Sequence, residues 1–261
     1  MAASRGGTGE AAWPMARRKV GRGVARADFD RELAQLEADV VLLGSLVESG
    51  LYTALEALRT RDNALSEKVK HDDDLIDQRR RHVQAVCVEI IRREAPVAGD
   101  LRRIAAAWDV ASELERMGDY AEGIAKIGVL LRDHAGVLDL LSLPDMADRA
   151  VGMLKHALEA FLERDEHRAV ELAGRVEQED EAVDRMYADL RAELIEQMRT
   201  NADYVETGTY LLWAAHNIER VADRSTNIAE NVVYQATGQM ATGTPRPTSA
   251  RPPSATGRRG S

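Results

Sequence analysis

The sequence is short of cysteine, proline and aromatic residues, and each shortage excludes a class of structure. One cysteine, Cys87, in 261 residues excludes a disulfide framework and fits a reducing compartment. Aromatic residues make up 4% of the chain, which has only seven prolines and nineteen glycines. Because β-sheet proteins depend on aromatic and β-branched side chains and on Gly and Pro in turns, this composition predicts helices.

Long apolar runs are also missing. The run of four apolar residues at 40–43 is typical of the longest, whereas a membrane-spanning helix needs roughly 20. The basic residues at 17–19 are followed by no apolar core, so the sequence predicts no signal peptide. We therefore expect a cytoplasmic protein.

The net charge of −9 is unevenly distributed. Residues 1–26 hold six basic residues and one acidic residue, and residues 239–261 hold four arginines and no acid, so the segment 27–238 carries a charge of −18. Such an acidic body does not suit nucleic acid; it suits cations or a basic protein surface. The two basic ends have too little apolar surface to offset chain entropy and are predicted to be disordered, with Met1 or Met15 as the start.

Between these ends, apolar residues recur every three or four positions, the spacing of one face of a helix. Stripes at 33–58 and 65–90 predict two helices separated by Asp62, a residue type that caps helix N-termini. Pro96 ends the second helix, because the residue before a proline resists helical geometry. A third helix is predicted at about 97–132, followed by a connector at 134–143. The later signals are Pro144 at the start of a fourth helix, Asp165 and Asp203 as caps of a fifth and a sixth, and Gly238 at the end.

The six predicted helices divide into two sets of three. A shift of 107 residues superposes the second helix on the fifth, and a shift of 104 superposes the third on the sixth. Repeats of this size indicate a duplicated three-helix unit. We therefore predict an all-α protein made of two pseudo-symmetric antiparallel three-helix bundles, at 27–135 and 136–238.

The common enzymatic signatures are absent from the sequence. It has no phosphate-binding glycine motif, no HExxH, no GxSxG and no CxxC. Its six histidines make no ExxH pair, which ferritin-like di-iron enzymes need on two helices. Oxidase chemistry is therefore disfavoured.

One acidic pattern occurs four times, as two carboxylates four residues apart. Such residues share a helix face, where like charges repel by about a few tenths of a kcal/mol unless a cation is bound. Oxygen ligands at this density suit Mg²⁺, Mn²⁺, Ca²⁺ or iron, and less characteristically Zn²⁺. The four pairs are Asp73 and Asp77, Glu115 and Asp119, Asp180 and Asp184, and Glu219 and Asp223.

An isolated acidic pair on a charged helix is usually a solvated face. Here the pairs recur at equivalent positions of the repeats, and those of the third helix lie within about 20° of the direction of Trp108. Acids on an apolar stripe are costly unless something neutralises or solvates them, so the pattern predicts cation sites. It also places Trp108, Trp213 and Met117 in the core, and Arg116 and Arg220 in salt bridges to a neighbouring helix.

Two stretches around these pairs resemble the paired signatures of the PhoU family, regulators of high-affinity phosphate transport. Residues 113–126 read ELERMGDYAEGIAK, and residues 217–230 read NIERVADRSTNIAE. The segments 73–77, 96–102 and 180–186 support the resemblance, which covers about residues 27–238 in both halves.

The resemblance implies two three-helix bundles, often dimeric, with no enzymatic activity and with acidic motifs that bind iron, zinc or other divalent metal such as manganese or magnesium. It also implies a repressor of the phosphate-starvation response. Such a protein bridges the transporter's ATPase subunit and a sensor histidine kinase, and so meets the membrane only through partners.

Carried onto this sequence, the metal motifs are the eight acidic residues of the four pairs, with Asn227 as a further ligand or a neighbour of the ligands. Arg224 stands where the second-half signature usually has His, Ala222 replaces Gly, and Gly123 is the counterpart of Asn227. A guanidinium next to Asp223 is expected to pair with the carboxylates, so the first-half site is predicted to be the stronger.

Two other interpretations stay open on the sequence alone. One is a structural helical scaffold whose acids are only solvated. The other is a carboxylate-bridged metal enzyme, against which the missing ExxH pairs argue. Metal bound by the purified protein, and lost in Asp77→Ala or Asp119→Ala, would separate a metal-binding regulator from a scaffold.

Overall fold

A computed structural model describes residues 22–133 and 140–239, and these residues form six α-helices with no strand among them. The all-α prediction is therefore confirmed. The predicted disordered ends lie almost wholly outside the described residues, although α1 already begins at Arg22. The helices are α1 (Arg22–Thr60), α2 (Asn63–Glu94), α3 (Ala98–Leu130), α4 (Leu143–Leu162), α5 (Glu166–Thr200) and α6 (Val205–Thr237), with a short 3-10 helix at Ala202–Tyr204.

Most of the predicted helix boundaries are confirmed. The Asp62 side chain accepts a hydrogen bond from the Ala64 backbone nitrogen at 2.7 Å, which caps α2. Asp165 caps α5 through the Arg168 backbone nitrogen at 2.9 Å. At the end of α6, Gly238 takes a left-handed φ of 72°, the conformation that favours glycine.

The predicted cap at Asp203 is wrong. Asn201 lies two residues earlier and accepts the Asp203 backbone N–H at 3.1 Å, so the chain enters the 3-10 turn there. Helix α6 then begins after Tyr204, whose side chain makes no capping bond. Asn and Asp are both good cap residues, and the more N-terminal of the two forms the turn.

Helix α1 is long and apolar enough, by length and composition alone, to cross a membrane, which the short apolar runs did not predict. Its apolar stripe is nevertheless fully used inside the protein, because α1 packs against α2, α3 and α4. The buried residues of this stripe are Leu33, Leu36, Val40, Leu43, Val47, Leu51, Ala54 and Leu58. The stripe is therefore that of a core helix.

Helices α3 and α6 lie at the centre of the molecule. Helix α3 packs against α1, α2 and α6, and α6 packs against α3, α4 and α5. Because α1 also packs against α4, these four inner helices enclose a common core, with α2 and α5 on the outside. The predicted boundary at 135/136 falls outside the described residues and stays a prediction.

The contacts between α3 and α6 are reciprocal. The Asn227 Nδ2 atom donates to Glu113 Oε2 at 3.1 Å. The residues equivalent to this pair by the shift of 104 are Gly123 and Asn217, and a Cβ on Gly123 would lie 2.8 Å from Asn217 Nδ2. A contact repeated between equivalent residues indicates a two-fold axis. The two bundles are therefore related by an approximate two-fold axis that passes between α3 and α6.

A buried carboxylate also joins the two bundles. Glu37 of α1 accepts hydrogen bonds from Arg103 Nη2 at 2.8 Å and from Arg164 Nη1 at 2.9 Å. Arg103 belongs to α3, whereas Arg164 lies in the turn between α4 and α5. The buried charge is thus matched by two guanidinium groups, one from each bundle.

The two tryptophans that the sequence placed in the core are exposed. Met117 is buried as predicted, but Trp108 is 37% exposed and Trp213 is 56% exposed. Helix α3 buries small residues such as Ala107 and Ala111 and leaves the large side chain of Trp108 partly exposed. When a helix contacts three others, its apolar stripe does not indicate which residues of the stripe are buried.

Candidate cation site and related proteins

Helices α2 and α3 run antiparallel and bring their polar faces together on the outside of the first bundle. Gln84 Nε2 donates to Ser112 Oγ at 3.2 Å, and Arg80 Nε lies 3.4 Å from Glu115 Oε1. This register places the acidic pair of α2 opposite the acidic pair of α3. We call the outer groove between these helices the first seam.

Five carboxylates form what we call the first acidic cluster in this seam. Burial first, and then the negative charges of Asp119, Glu122 and Glu115, raise the pKa of Asp73 to about 6. Burial and neighbouring carboxylates also raise the pKa values of Glu115 and Asp119. The structure therefore brings the two predicted pairs of the first half together, as like charges in one place. The cluster consists of Asp73, Asp77, Glu115, Asp119 and Glu122.

Asp73 is partly enclosed in this cluster. Its Oδ1 atom is buried and meets no hydrogen-bond donor in the described part of the chain. A Cβ on Gly118 would lie 2.8 Å from this oxygen, so the glycine leaves the space in which the carboxylate sits. An unpartnered carboxylate oxygen next to further carboxylates is the chemistry of a hard cation site.

Two arginines engage the other side of the cluster. Arg80 Nη2 donates to Asp77 Oδ1 at 2.7 Å, and Arg81 pairs with Asp77 Oδ2. The guanidinium of Arg80 thus lies between Asp77 and Glu115 and acts as a counter-ion of the protein's own. Within residues 22–133 and 140–239, no three His, Cys, Asp or Glu side chains are arranged to hold a metal ion. Binding one requires side chains of the cluster to turn.

The acidic pairs of the second half have different neighbours. Asp180 and Asp184 lie on α5, half-buried and exposed respectively. Glu219 of α6 is half-buried, and His216 Nδ1 lies 3.2 Å from its Oε2. Burial raises the pKa of Tyr187 on α5, and the negative charge of Glu219 is the second cause of this shift. Tyr187 is the equivalent of Arg80 by the shift of 107, so this half lacks that counter-ion.

Among the residues that the structure describes, the arginines that follow the motif glutamates make none of the predicted salt bridges to a neighbouring helix. Arg116 Nη1 donates to Glu113 at 2.6 Å within α3 itself. Arg220 does reach the other bundle, but its partner there is Tyr120, whose hydroxyl oxygen lies 3.3 Å from Arg220 Nη2. Arg220 also lies 3.9 Å from Asp223 on its own helix.

Two second-half residues singled out from the motif turn to the interface between the bundles. Arg224 Nη1 donates to Glu113 Oε2 at 3.3 Å, so its guanidinium reaches a carboxylate of α3. Asn227 donates to the same Glu113 oxygen. Arg224 and the Asn227 amide nitrogen thus both bind the same carboxylate across the interface between the bundles.

Sequence reasoning missed three residues that shape these surfaces. Glu122 lies seven residues after Glu115, so the helical period would have placed it in the cluster. Arg80 lies three residues after Asp77 on the same face, but its position opposite Glu115 depends on how two helices are rotated against each other. Glu113 carried no signal, because only the packing of α3 on α6 makes it an interbundle acceptor.

Known proteins are similar to this chain in both sequence and architecture. The family described as PhoU domain matches residues 40–128 and 143–232. Over 212 residues, 81% of this chain and 88% of the relative, the sequence is 34% identical to a phosphate-specific transport system accessory protein PhoU homolog of Zymomonas mobilis. A homologue of the same description from Rhizobium meliloti is also 34% identical, over 82% of this chain and 90% of its own length.

Solved structures agree. The crystal structure of PhoU from Pseudomonas aeruginosa is similar with a TM-score of 0.73 and 31% identity, covering 81% of this chain and all of that one. The phosphate transport system regulatory protein PhoU from Streptococcus pneumoniae gives a TM-score of 0.70 and 32% identity, over 81% and 98%. These relatives are named as accessory or regulatory proteins and not as enzymes. The chain belongs to the PhoU family and has a role in the regulation of phosphate transport.

Proposed function

We propose that this chain represses phosphate uptake and phosphate-starvation signalling in the cytoplasm by bridging two partners. These are the ATPase subunit of the phosphate ABC transporter and a sensor histidine kinase, which are its only links to the membrane. The observation that carries the proposal is the match of both halves to the PhoU domain, at 40–128 and 143–232. A homodimer is part of the proposal.

A deletion strain grown on ample phosphate tests the regulatory role. Loss of a repressor should raise the transcripts of phosphate-uptake genes, and the wild-type gene supplied in trans should restore them. Unchanged transcripts would contradict repression. Purification of the tagged chain from phosphate-replete cells tests the bridge, since transporter ATPase and sensor kinase should both be recovered.

The proposal includes a divalent or ferric ion at the first acidic cluster. Its residues fit such an ion in two respects: the Asp73 Oδ1 oxygen is buried without a donor, and Gly118 leaves the space beside it. All five ligand candidates are carboxylates, which suits manganese, magnesium or iron better than zinc. A bound ion would neutralise the repulsion within the cluster and thereby stabilise the α2–α3 pair.

The cluster's own residues determine how an ion enters. Asp77 is held by Arg80 and Arg81, so these guanidinium groups must give way before that carboxylate can turn toward Asp73. Glu115 is also freed when Arg80 leaves. Asp180, Asp184, Glu219, Asp223 and Asn227 form the second proposed site.

Elemental analysis and calorimetric titration with Mn²⁺ test the metal part separately. Asp119→Ala and Asp77→Ala should lower the amount of bound metal, whereas Asp189→Ala, an exposed aspartate of α5 away from the motifs, should not. Absence of metal from the wild-type chain and from every variant would favour regulation without metal, or a scaffold with solvated acids.

A further inference from the structure

A cavity of about 250 Å³ lies where the end of α6 meets the beginnings of α3 and α5. Three arginines line it: Arg102 and Arg103 from α3, and Arg164 from the turn between α4 and α5. Both bundles therefore contribute to this space, which we call the arginine cavity. It is smaller than the roughly 300–1,000 Å³ of pockets that take drug-sized ligands, so it suits a small ion. Its lining is distinct from the two proposed cation sites.

The guanidinium of Arg102 is fixed at this cavity by a backbone group. Its Nε atom donates to the carbonyl oxygen of Gln235 at 3.0 Å, in the last turn of α6, where a positive charge is favourable. Within residues 22–133 and 140–239, no carboxylate forms an ion pair with Arg102. The two Nη atoms thus keep their N–H groups for a ligand, and their planar fork matches two oxygens of one oxyanion.

The other two arginines have donors left after their bonds to Glu37. Arg103 binds this carboxylate through Nε and Nη2, so Nη1 is left over. Arg164 binds it through Nη1 and Nη2, so Nε is left over. Donors from three guanidinium groups therefore converge on one small space, and they come from both bundles.

Acceptors line the same cavity beside these donors. Asp100 is paired with Arg26, whose Nη1 lies 2.7 Å from its Oδ2, so this pair adds no net charge. Glu163 and Glu166 also line the cavity, and Glu163 Oε1 accepts two backbone N–H groups of the α4–α5 turn. The Oε1 atom of Gln235 is buried and meets no donor in the described part of the chain. An anion without a proton is repelled by such acceptors, whereas one with an O–H group donates to them.

We propose that the arginine cavity binds inorganic phosphate as its monohydrogen dianion. The fork of Arg102 takes two phosphate oxygens, and the remaining donors of Arg103 and Arg164 take the others. The phosphate O–H group donates to one of the acceptors at Glu163, Glu166 or Gln235. Each side of the ion thus meets the complementary side of the cavity.

This arrangement selects phosphate over related oxyanions. The three arginines are balanced by Glu37, Glu163 and Glu166, so recognition depends on directed hydrogen bonds and not on net charge. Sulfate has no proton to donate at neutral pH, and neither has the dianion of a phosphate monoester. A site built to hydrogen-bond an O–H group rejects analogues that lack it, because its acceptors are then left unpaired.

The bound ion would also join the two bundles, because Arg102 and Arg103 belong to the first and Arg164 to the second. Glu37 occupies two of the three guanidinium groups and therefore competes with phosphate for them. The inference goes beyond the proposed function, which assigns no ligand to this cavity, and it holds whichever partners the chain has.

Calorimetric titration of the metal-free full-length chain with sodium phosphate at pH 7.5 tests the inference. Sodium sulfate and phenyl phosphate at equal ionic strength are the comparison ligands, and sulfate also controls for the general stabilising effect of such salts. Arg102→Gln removes the fork, and Glu37→Gln removes the competing charge. Arg79→Gln removes an exposed arginine of α2 and is the control.

We expect saturable phosphate binding, about tenfold or more weaker for sulfate and for phenyl phosphate. Arg102→Gln should weaken phosphate binding by about tenfold, and Arg79→Gln should leave it within about twofold of the wild type. Glu37→Gln should tighten it by about twofold to fivefold although it loosens the junction between the bundles, so a general loss of folding does not mimic this result.

Three results would overturn the inference. Wild-type affinity in Arg102→Gln would exclude the cavity as the site. Equal affinity for sulfate, or tighter binding of phenyl phosphate, would exclude recognition of the phosphate proton. Absence of saturable binding by the wild-type chain would exclude a phosphate site altogether, and it would leave the proposed partners untouched.

Discussion

Asp73 is a carboxylate whose ionisation differs strongly between the folded chain and water. Its pKa of about 6 lies above the ordinary value, so between about pH 4 and 6 the folded state binds its proton more tightly than the unfolded state does. The free energy of unfolding should therefore fall as the pH rises through this window, and the loss should be complete above it.

Asp73→Asn should remove this fall in the free energy of unfolding with rising pH. Without metal and in the presence of chelator, we expect the variant to be more stable than the wild type at pH 7.5, by on the order of 1 kcal/mol after solvent screening is allowed for, and to lose that advantage by pH 4.5. Urea unfolding at both pH values measures it. Asp189→Asn is the control, and an advantage for Asp73→Asn that is equal at the two pH values would contradict the assignment.

Arg80 competes with any cation that enters the first acidic cluster. Arg80→Gln should therefore tighten Mn²⁺ binding by about twofold to fivefold, the range expected for a partly exposed ion pair. Calorimetric titration measures the affinity. Arg79→Gln removes an exposed neighbouring charge on the same helix and should change the Mn²⁺ affinity less. Equal effects of the two substitutions would mean that the tighter binding comes from net charge alone.

Two glycines in helices should respond to alanine with opposite signs. At Gly118 a Cβ would meet Asp73 Oδ1 at 2.8 Å and Ile76 Cδ1 at 3.1 Å, so Gly118→Ala should lower the free energy of unfolding by about 1–3 kcal/mol. Gly152 has nothing within 4 Å of its Cβ position, so Gly152→Ala should raise it by about 0.5–1 kcal/mol. Thermal unfolding with chelator present compares them, and destabilisation by both would show that Gly118 is not a special position.

At the scale of single residues, the sequence predicts the properties that depend only on a side chain and its own helix. Cys87 is buried as expected, and burial raises the pKa of its thiol to about 12. The grouping of Asp73 with Asp119 also follows from the repeat. The place of Arg80 and the exposure of Trp108 do not, because both depend on the rotation of α3 against its neighbours.

At the scale of the helices, capping residues give a direct test of the boundaries. Asp165→Ala removes the side-chain bond to the Arg168 nitrogen and should cost about 1 kcal/mol. Asp203→Ala should cost less than half of that, because Asn201 makes the turn before α6. Urea unfolding of both variants gives the comparison, and a larger loss at position 203 would restore Asp203 as the cap.

Helix boundaries could largely be predicted because caps and breakers act locally. Asp62, Asp165, Pro96 and Gly238 all mark ends where the sequence placed them. The start of α6 could not be resolved, since two cap residues lie within three positions and the choice depends on the 3-10 turn between them.

At the scale of the whole molecule, Glu37 links the two bundles. Glu37→Ala leaves Arg103 and Arg164 without their carboxylate, and because both guanidinium groups reach solvent we expect a loss of about 2–3 kcal/mol. Glu32→Ala removes a surface pair with Arg93 and should cost at most about 0.5 kcal/mol. Denaturation curves separate the two values, and equal losses would mean that Glu37 is no more than a surface charge.

The unfolding of Glu37→Ala also reports on the coupling between the bundles. Trp108 lies in the first and Trp213 in the second, and both are exposed enough to be replaced singly by Phe. With Trp13 also replaced by Phe, chains that retain one or the other as the sole tryptophan should give coincident unfolding transitions by fluorescence in the presence of Glu37. Separated transitions in Glu37→Ala would show that this carboxylate makes the chain one cooperative unit.

The reciprocal contact of α3 with α6 has a consequence for the cell. If the two bundles were separate copies of one polypeptide, they would dissociate on dilution. Their surfaces would also have to be identical, because one gene would encode both. Joined by a peptide connection, they stay assembled at any copy number, and each half is free to diverge. The replacement of Arg80 by Tyr187 in the equivalent position is one such divergence, so a single gene encodes two unlike faces in fixed proportion.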